Sequence, residues 1–160
     1  MAEAKLGSMD PALDWFGRDA PAQARSVLAE LATVRPFRQG EVLFHEGEEA
    51  TRFEVLRSGR VALRVLVPER GEMTVLTVEP GDVLGWSAVA APYRYTSTAT
   101  AVEDGETIAW EGAALRGVLR TDCRLASIVY PRLLEAVARR LIGTREQLLD
   151  VFARGSDHAW

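Results

Sequence analysis

The sequence from Phe37 to Val61 reads FRQGEVLFHEGEEATRFEVLRSGRV. Two short apolar runs in it, Val42–His45 and Phe53–Leu56, are separated by residues rich in glycine and glutamate. Short apolar runs between such turn residues are typical of β-strands joined by hairpins. Similar runs follow at residues 61–67, 73–78, 96–102 and 107–110. This regular spacing predicts a β jelly-roll barrel over residues 37–111.

Turn-forming residues separate the predicted strands, and one interval among them is unusually long. Ser58-Gly59 and the stretch 103–105 each predict a turn. The interval between Gly85 and Tyr95 is too long for a hairpin turn and is rich in small residues. It predicts a short helix and a loop inserted into the barrel, where folds often carry function. Backbone amides at the start of such a helix attract anions.

Helical patterns flank the barrel, so the predicted fold class is mainly β with flanking helices. An N-terminal helical segment at residues 11–36 precedes the barrel, with helix expected through Val34 and a stop at Pro36. C-terminal helices occupy residues 112–153, where short helices at 112–120 and 122–130 lead into a long helix that begins at Pro131. Residues 1–10 are predicted to be a disordered tail or tag remnant, and residues 154–160 a second tail.

The long helix carries a heptad pattern of apolar residues. Its seam consists of Tyr130, Leu134, Val137, Leu141, Thr144, Leu148 and Val151. The apolar residues off this seam are Leu133, Ile142, Leu149 and Phe152. We expect this second stripe to pack on the barrel while the seam pairs with a second copy of the chain, which predicts a homodimer. The alternative is an amphipathic helix packed only on its own barrel. Arg139 and Arg140 are expected to be solvated.

The charge and the length of the chain argue against binding to a nucleic acid or a membrane. The chain has 160 residues and a net charge of -4, which fits one domain without the basic face that direct nucleic-acid binding requires. No apolar run is long enough to cross a membrane, so neither a nucleic acid nor a membrane is an expected partner. The single cysteine, Cys123, cannot form an internal disulfide, which suits the reducing cytoplasm, and we expect it to be a small buried side chain.

The sequence also argues against an enzyme. It contains two histidines, His45 and His158, and no nucleophile or phosphate-loop motif. A metal-dependent cupin would share the barrel pattern, but it needs several clustered histidines. We therefore expect no catalytic residues and no metal ligands.

Four stretches together resemble the cyclic nucleotide-binding domain of the catabolite activator protein and related regulators. They are the hairpin Phe37–Glu48, the hairpin Phe53–Val61, the run Pro80–Gly85 and the helical stretch Ala138–Thr144. The resemblance covers about residues 34–152. It implies that the run ending at Gly85 enters a phosphate-binding cassette and that the long helix is a dimerisation helix.

The cassette departs from the family pattern at its two charged positions. The family's glutamate, which binds a ribose hydroxyl, is replaced by Trp86. The family's arginine, which pairs with the cyclic phosphate, falls on Tyr95, and Arg94 lies one position early. Thr96 matches the hydroxyl position beside the phosphate, and Thr144 matches a helix threonine that contacts the base across the dimer. The candidate ligand-binding residues are Gly85, Trp86, Ser87, Ala88, Arg94, Tyr95, Thr96 and Thr144.

These observations predict a stand-alone regulatory sensor domain with weak or altered affinity for cyclic nucleotides. No cofactor is required, and the expected ligand is a cyclic nucleotide or another small anion. Ligand binding would move the C-terminal helix and so affect a protein effector. The chain ends eight residues beyond Phe152, so a helix-turn-helix domain is not expected. The alternative is a degenerate fold that acts as a ligand-free dimerisation or protein-interaction module.

Overall fold

The structure, a computed structural model, describes residues 6–7 and 10–155, with side chains through Leu149. Six strands in this part of the chain form one antiparallel sheet: β1 Ala32–Phe37, β2 Val42–Phe44, β3 Arg52–Val67, β4 Gly71–Val78, β5 Val83–Leu84 and β6 Thr98–Glu111. The helices are α1 Ala22–Leu31, α2 Gly112–Thr121 and α3 Cys123–Gly155, with 3-10 helices at Pro11–Phe16 and Trp86–Ala88. The predicted mainly β fold with flanking helices is confirmed.

Two long strands organise the barrel. In the sheet order β1-β6-β3-β4, β6 and β3 are central, while β2 pairs with β6 and β5 pairs with β3. The expected turns at Ser58-Gly59 and at residues 103–105 are wrong, because both stretches lie inside these strands. The strands bend together there: a Cβ on Gly105 would overlap the carbonyl oxygen of Ser58, and one on Gly59 would lie 2.6 Å from that of Asp104. The glycines therefore permit a bulged close approach of two backbones.

An aromatic cluster joins the N-terminal helices to the sheet. The Trp15 ring lies 4.9 Å from that of Phe53, and the Phe16 ring lies 4.8 Å from that of Trp110. The Trp110 indole donates to the carbonyl of Leu28 at 2.8 Å, which ties α1 to β6. Buried aromatic residues of this kind supply a large share of core stability.

The expected helix through Val34 is wrong at its end. α1 stops at Leu31, and β1 begins at Ala32 and runs through Pro36, paired with β6 along its length. Proline is tolerated there because β1 is an edge strand whose outer side makes no ladder bonds. Cross-strand pairing thus outweighs the helical periodicity of the preceding residues.

Pro131 lies inside α3, so the expected break before it is wrong. The helix runs without interruption from Cys123 to Gly155. A proline inside a helix costs about 3 kcal/mol. Leu125, Val129 and Leu133 are buried on both sides of it, and each contributes about 1.5–3 kcal/mol, which outweighs that cost. Cys123 is exposed at the start of the helix, contrary to expectation, because burial begins only at Leu125.

The barrel-facing stripe of α3 is shorter than predicted. Leu133 is buried as expected, but Ile142 and Leu149 are 57% and 59% exposed. No residue from Leu141 through Leu149 is buried, since this part of α3 extends beyond the barrel. The side chains of Val151 and Phe152 lie outside the described residues, as do residues 1–5, 8–9 and 156–160 of the predicted tails.

No helix in the described part of the chain combines the length and apolar character needed to span a membrane.

Candidate functional site

The cassette, defined here as residues 85–96, begins with a left-handed glycine. Gly85 has φ 65° and ψ 31°, and it precedes the short 3-10 helix that starts at Trp86. Its α carbon lies against the carbonyl oxygen of Arg52, and an added Cβ would also lie 3.2 Å from the Tyr95 ring. Glycine is required because the turn combines a positive φ with a close backbone approach. The contact joins the two ends of the cassette.

Tyr95 is a buried core side chain at the closing end of the cassette. Its ring stacks on Phe44, with centroids 3.9 Å apart and planes 10° apart. Its hydroxyl accepts a hydrogen bond from the amide of Arg52 at 3.3 Å. Its backbone pairs with the loop that contains Gly47 and Glu48. The position that the resemblance gives to an arginine thus holds an aromatic ring fixed by packing.

Burial alternates along the residues that lead from the cassette into β6. Tyr95 and Ser97 are 6% and 7% exposed, whereas Thr96 between them is exposed. Thr96 and Ser97 form a bend before β6 begins at Thr98, and in this bend the side chain of Ser97, not that of Thr96, faces the core. At the other end, Ser87 is 3% exposed. Neither serine hydroxyl makes a hydrogen bond to another described residue.

Helix α2 also contacts the cassette. The Arg116 guanidinium donates to the carbonyl of Ala88 and lies 4.5 Å from the centre of the Tyr93 ring. Gly112 permits this approach, because a Cβ there would lie 2.9 Å from the carbonyl oxygen of Ala88. A cation over an aromatic face adds to the hydrogen bond. The sequence pattern did not single out Arg116, since nothing in it indicates which face of α2 meets the cassette.

Arg94 points away from the core. It is exposed, and its Nη1 donates to the carbonyl of Gly47 at 2.8 Å. The expectation that Arg94 neutralises a bound anion remains untested by this arrangement, in which its guanidinium binds the neighbouring loop.

Arg140 is held at the strand that leads into the cassette. Its Nη2 donates to the carbonyl of Val83 at 2.9 Å. The expectation of a solvated side chain is wrong: burial lowers the pKa of Arg140 to about 10, partly opposed by the charge of Asp82. One turn later, the Thr144 hydroxyl donates to the carbonyl of Arg140 at 2.8 Å. No hydrogen bond joins Thr144 to the cassette within the described residues.

The barrel interior holds a buried ion pair. Glu54 is fully buried, accepts from Arg35 at 3.0 Å, and accepts a short hydrogen bond from the Thr107 hydroxyl. Arg35 also donates to the carbonyl of Leu43. These bonds join β1, β2, β3 and β6, and both carboxylate oxygens of Glu54 accept a hydrogen bond. The ion pair therefore acts as a structural tie and was not visible in the alternation pattern of the strands.

The sequence profile described as the cyclic nucleotide-binding domain matches residues 34–139, more than half of the chain. The chain belongs to the cyclic nucleotide-binding domain family. The predicted family resemblance is confirmed. No curated protein matches the sequence.

Solved structures agree with the family assignment. A Geobacter metallireducens GS-15 protein named for cyclic nucleotide binding has a TM-score of 0.70 and 28% identity, over 79% of this chain and 91% of that one. The N-terminal domain of a transcriptional regulator from Streptomyces coelicolor A3(2) has a TM-score of 0.63 and 26% identity, over 86% and 93%. Thermus thermophilus catabolite activator protein has a TM-score of 0.68 at 24% identity, over 87% and 62%, a likeness of fold alone.

In this cyclic nucleotide-binding domain, the structure brings most of the predicted site residues together. Gly85 and Tyr95 lie close enough that an added Cβ on Gly85 would be 3.2 Å from the Tyr95 ring, and the residues between them belong to the cassette. Trp86 is partly buried and packs on the core, and Ala88 is fully buried. Sequence reasoning did not indicate that Ser97 is buried beside Tyr95, that Arg116 bonds the Ala88 carbonyl, or that Arg140 bonds the Val83 carbonyl.

A further cavity lies beside the N-terminal helical segment and includes no cassette residue in its lining. This cavity of about 660 Å³ near Pro11 and Trp15 is lined by charged side chains. Its cations are engaged: Arg18 pairs with Asp14 at 3.1 Å, and Arg57 pairs with Asp10 at 3.2 Å. Over the described residues, no group of three or more His, Cys, Asp or Glu side chains is placed to hold a metal ion.

Proposed function

We propose that this cyclic nucleotide-binding domain acts by binding and not by catalysis, and that it takes a small anionic ligand at the cassette. One observation carries the proposal. Ser87 and Ser97 lie two residues after Gly85 and Tyr95 respectively; the two serines are only 3% and 7% exposed, and neither hydroxyl bonds another described residue. Arg140 Nε is the one fully buried polar side-chain atom without a partner in the described part of the chain, so both serine hydroxyls keep access to solvent and can donate to a ligand.

The ligand affinity differs from that expected of an ordinary cyclic nucleotide site. Trp86 and Tyr95 stand at the positions of the two charged contacts, and the Tyr95 ring is held by Phe44. Losing one buried charged contact costs about 2–5 kcal/mol, a decrease of roughly 30-fold or more in affinity. We therefore expect cyclic AMP to bind weakly, and the preferred ligand to be one that tolerates the two aromatic residues.

Calorimetry on the full chain tests this proposal. Cyclic AMP, cyclic GMP and cyclic dinucleotides are titrated to millimolar concentration, and the absence of heat and of thermal stabilisation with all of them would contradict a cyclic nucleotide ligand. Ser97→Ala is expected to weaken binding about tenfold. Thr96→Val is the matched control, since Thr96 is exposed. If Thr96→Val weakens binding and Ser97→Ala does not, the ligand contacts the other face of the strand, as predicted from the sequence alone.

We infer that a bound ligand signals through α2 to α3. Arg116 contacts both Ala88 and Tyr93, and α2 leads into α3 at Asp122, whose carboxylate accepts from the first amides of α3. A change in the cassette would therefore displace α2 and the helix that follows it, provided that the ligand favours one of two states.

Hydrogen exchange of α3 with and without ligand tests this coupling. Arg116→Met is expected to leave ligand binding in place and to abolish the change in α3, because it removes the hydrogen bond to Ala88. Arg120→Met is the control, an exposed arginine of the same helix. An unaltered response in Arg116→Met would contradict transmission through α2.

We also propose that α3 pairs with the same helix of a second chain. Leu134, Leu141 and Leu148 are seven residues apart and are 70%, 70% and 51% exposed. A leucine repeated at one heptad position is typical of a dimeric coiled coil. This observation also favours the second candidate function, a ligand-free dimerisation module that presents a surface to a protein effector in the cytoplasm.

Light scattering tests the dimer, and it separates the two functions when combined with calorimetry. Leu141→Gln is expected to shift the protein to monomer at tens of micromolar. Glu146→Gln places the same side chain at an exposed position off the seam and is expected to remain dimeric. A monomeric wild-type protein would exclude the dimer, whereas a dimer that binds no ligand would support the interaction module.

A further inference from the structure

Arg140 carries an unsatisfied donor at the junction of α3 with β5. Its Nη2 is bonded to the Val83 carbonyl, but its Nε is buried and has no hydrogen-bond partner. Among the buried side-chain nitrogens and oxygens that the structure describes, this one alone lacks a partner. A buried charged donor without an acceptor lowers the stability of the folded protein. We therefore expect a bound group to accept a hydrogen bond from the Nε of Arg140.

The site lies on the outer, helix-facing side of the barrel and away from the cassette interior. Val83 pairs with Val55, which shares a strand face with Phe53. Phe53 packs against Trp15, on the side of the N-terminal helices. Glu54, between Phe53 and Val55, faces the opposite way into the ion pair of the barrel interior. The Arg140 site is thus distinct from the cassette surface that carries Ser97.

A cavity of about 220 Å³ is lined in part by Arg140, whose Nε lies beneath the accessible surface. Its lining includes Trp15, Leu76, Asp82, Ala136, Arg139 and Arg140. The lining includes two guanidinium groups and one carboxylate, which gives it one net positive charge. Sites for drug-sized ligands usually measure about 300–1,000 Å³, and this smaller volume suits an anion of a few heavy atoms.

The guanidinium stays charged despite its burial. Desolvation lowers the pKa of Arg140, yet its value of about 10 leaves it protonated at neutral pH. Asp82 does not supply the missing acceptor, because its carboxylate accepts from the Glu79 amide at 3.3 Å and makes no hydrogen bond to Arg140 within the described residues. An external oxyanion would satisfy Nε and neutralise the excess charge together.

We propose that this cavity binds a small oxyanion, a phosphate or a carboxylate, through the guanidinium of Arg140, whose Nε edge a shift of the side chain presents to the anion. The bound anion joins α3 to β5, whose last residue, Leu84, immediately precedes the cassette glycine Gly85. It therefore stabilises the docked position of α3 by a contact that does not need the cassette to be occupied.

Thermal unfolding of the full chain in sodium phosphate, sodium acetate and sodium chloride at matched ionic strength tests the site. Phosphate or acetate is expected to raise the Tm of the wild type above its value in chloride. Arg140→Met is expected to need an anion concentration at least about tenfold higher for the same rise in Tm. Arg145→Met removes an exposed guanidinium from the same helix and is expected to retain it.

Three results would refute the inference. Equal Tm values in all three salts, or an undiminished anion effect in Arg140→Met, would refute it. Where Arg140→Met does not fold, Arg140→Lys keeps the charge without the planar fork and is expected to lose most of the effect. Ser97→Ala is expected to retain the rise in Tm caused by the anion. If Ser97→Ala loses this rise, the anion binds at the cassette, which refutes the Arg140 site and leaves the proposed function intact.

Discussion

Replacing Gly85 with alanine tests the cassette turn through two separable costs. The residue has φ 65°, and a Cβ in this left-handed conformation costs about 1 kcal/mol. The added Cβ would also overlap the carbonyl oxygen of Arg52. Arg52 is paired with Glu111 in the sheet, so its carbonyl cannot move without disturbing β3. Displacement of packed groups costs about 1–3 kcal/mol, which brings the expected loss of unfolding free energy to about 2–4 kcal/mol.

Thermal and urea unfolding measure this loss against a matched glycine variant. For a domain of this size, about 2–4 kcal/mol lowers the Tm by roughly 6–12 °C. Gly81→Ala is the control: Gly81 has φ 94°, but nothing lies within 4 Å of its added Cβ. It should show only the conformational cost, with a decrease in Tm of about 3 °C. Equal losses in the two variants would refute the close approach of the cassette to β3.

Three further substitutions test helix α2, the ion pair between Arg35 and Glu54, and the pH dependence of stability at Asp104. Gly117→Ala is expected to raise the free energy of unfolding by about 0.5–1 kcal/mol in urea, since nothing lies within 4 Å of the added Cβ in α2; a destabilised variant would contradict this. Glu54→Ala is expected to cost about 3 kcal/mol, because it leaves Arg35, only 22% exposed, without its anion. Adding Arg35→Leu is expected to recover part of that loss, and strictly additive losses would argue against the pair. For Asp104, the hydrogen bond from the Gln39 amide lowers the carboxyl pKa below its ordinary value of 3.8, so its stabilising contribution is present above that value and is lost as the pH falls below it. Asp104→Asn should therefore lower the Tm at pH 7 and make little difference near pH 2.5, and a pH-independent difference would contradict the assignment.

Much of the cassette was predictable, because it depends on local patterns. The position of Gly85 before a short helix followed from a glycine after an apolar run and from an interval too long for a hairpin. The sequence did not determine whether the hydroxyl of Thr96 or that of Ser97 faces inward. Thr96 and Ser97 lie in a bend before β6, and only the tertiary packing, in which Tyr95 stacks on Phe44 and Ser97 is 7% exposed, decides which of them faces inward.

The helices and β1 likewise separate what a local pattern predicts from what a tertiary contact decides. Helical periodicity predicted α1 and the long C-terminal helix, yet it misplaced the start of β1 and the effect of Pro131. Both errors arose where a tertiary contact outweighs a local preference: the pairing of β1 with β6 in one case, and the burial of α3 on both sides of the proline in the other.

The sequence by itself determined the family, the barrel and the location of the cassette, because glycines and apolar alternation act between near neighbours. It also showed that two charged positions of the family pattern are aromatic in this chain. The tertiary structure alone decided that Arg116 contacts the cassette and that the partly buried Arg140 lies beside β5 with its Nε unpaired. Such contacts join residues far apart in the chain, and their geometry depends on how α2 and α3 pack on the barrel, which no local pattern encodes.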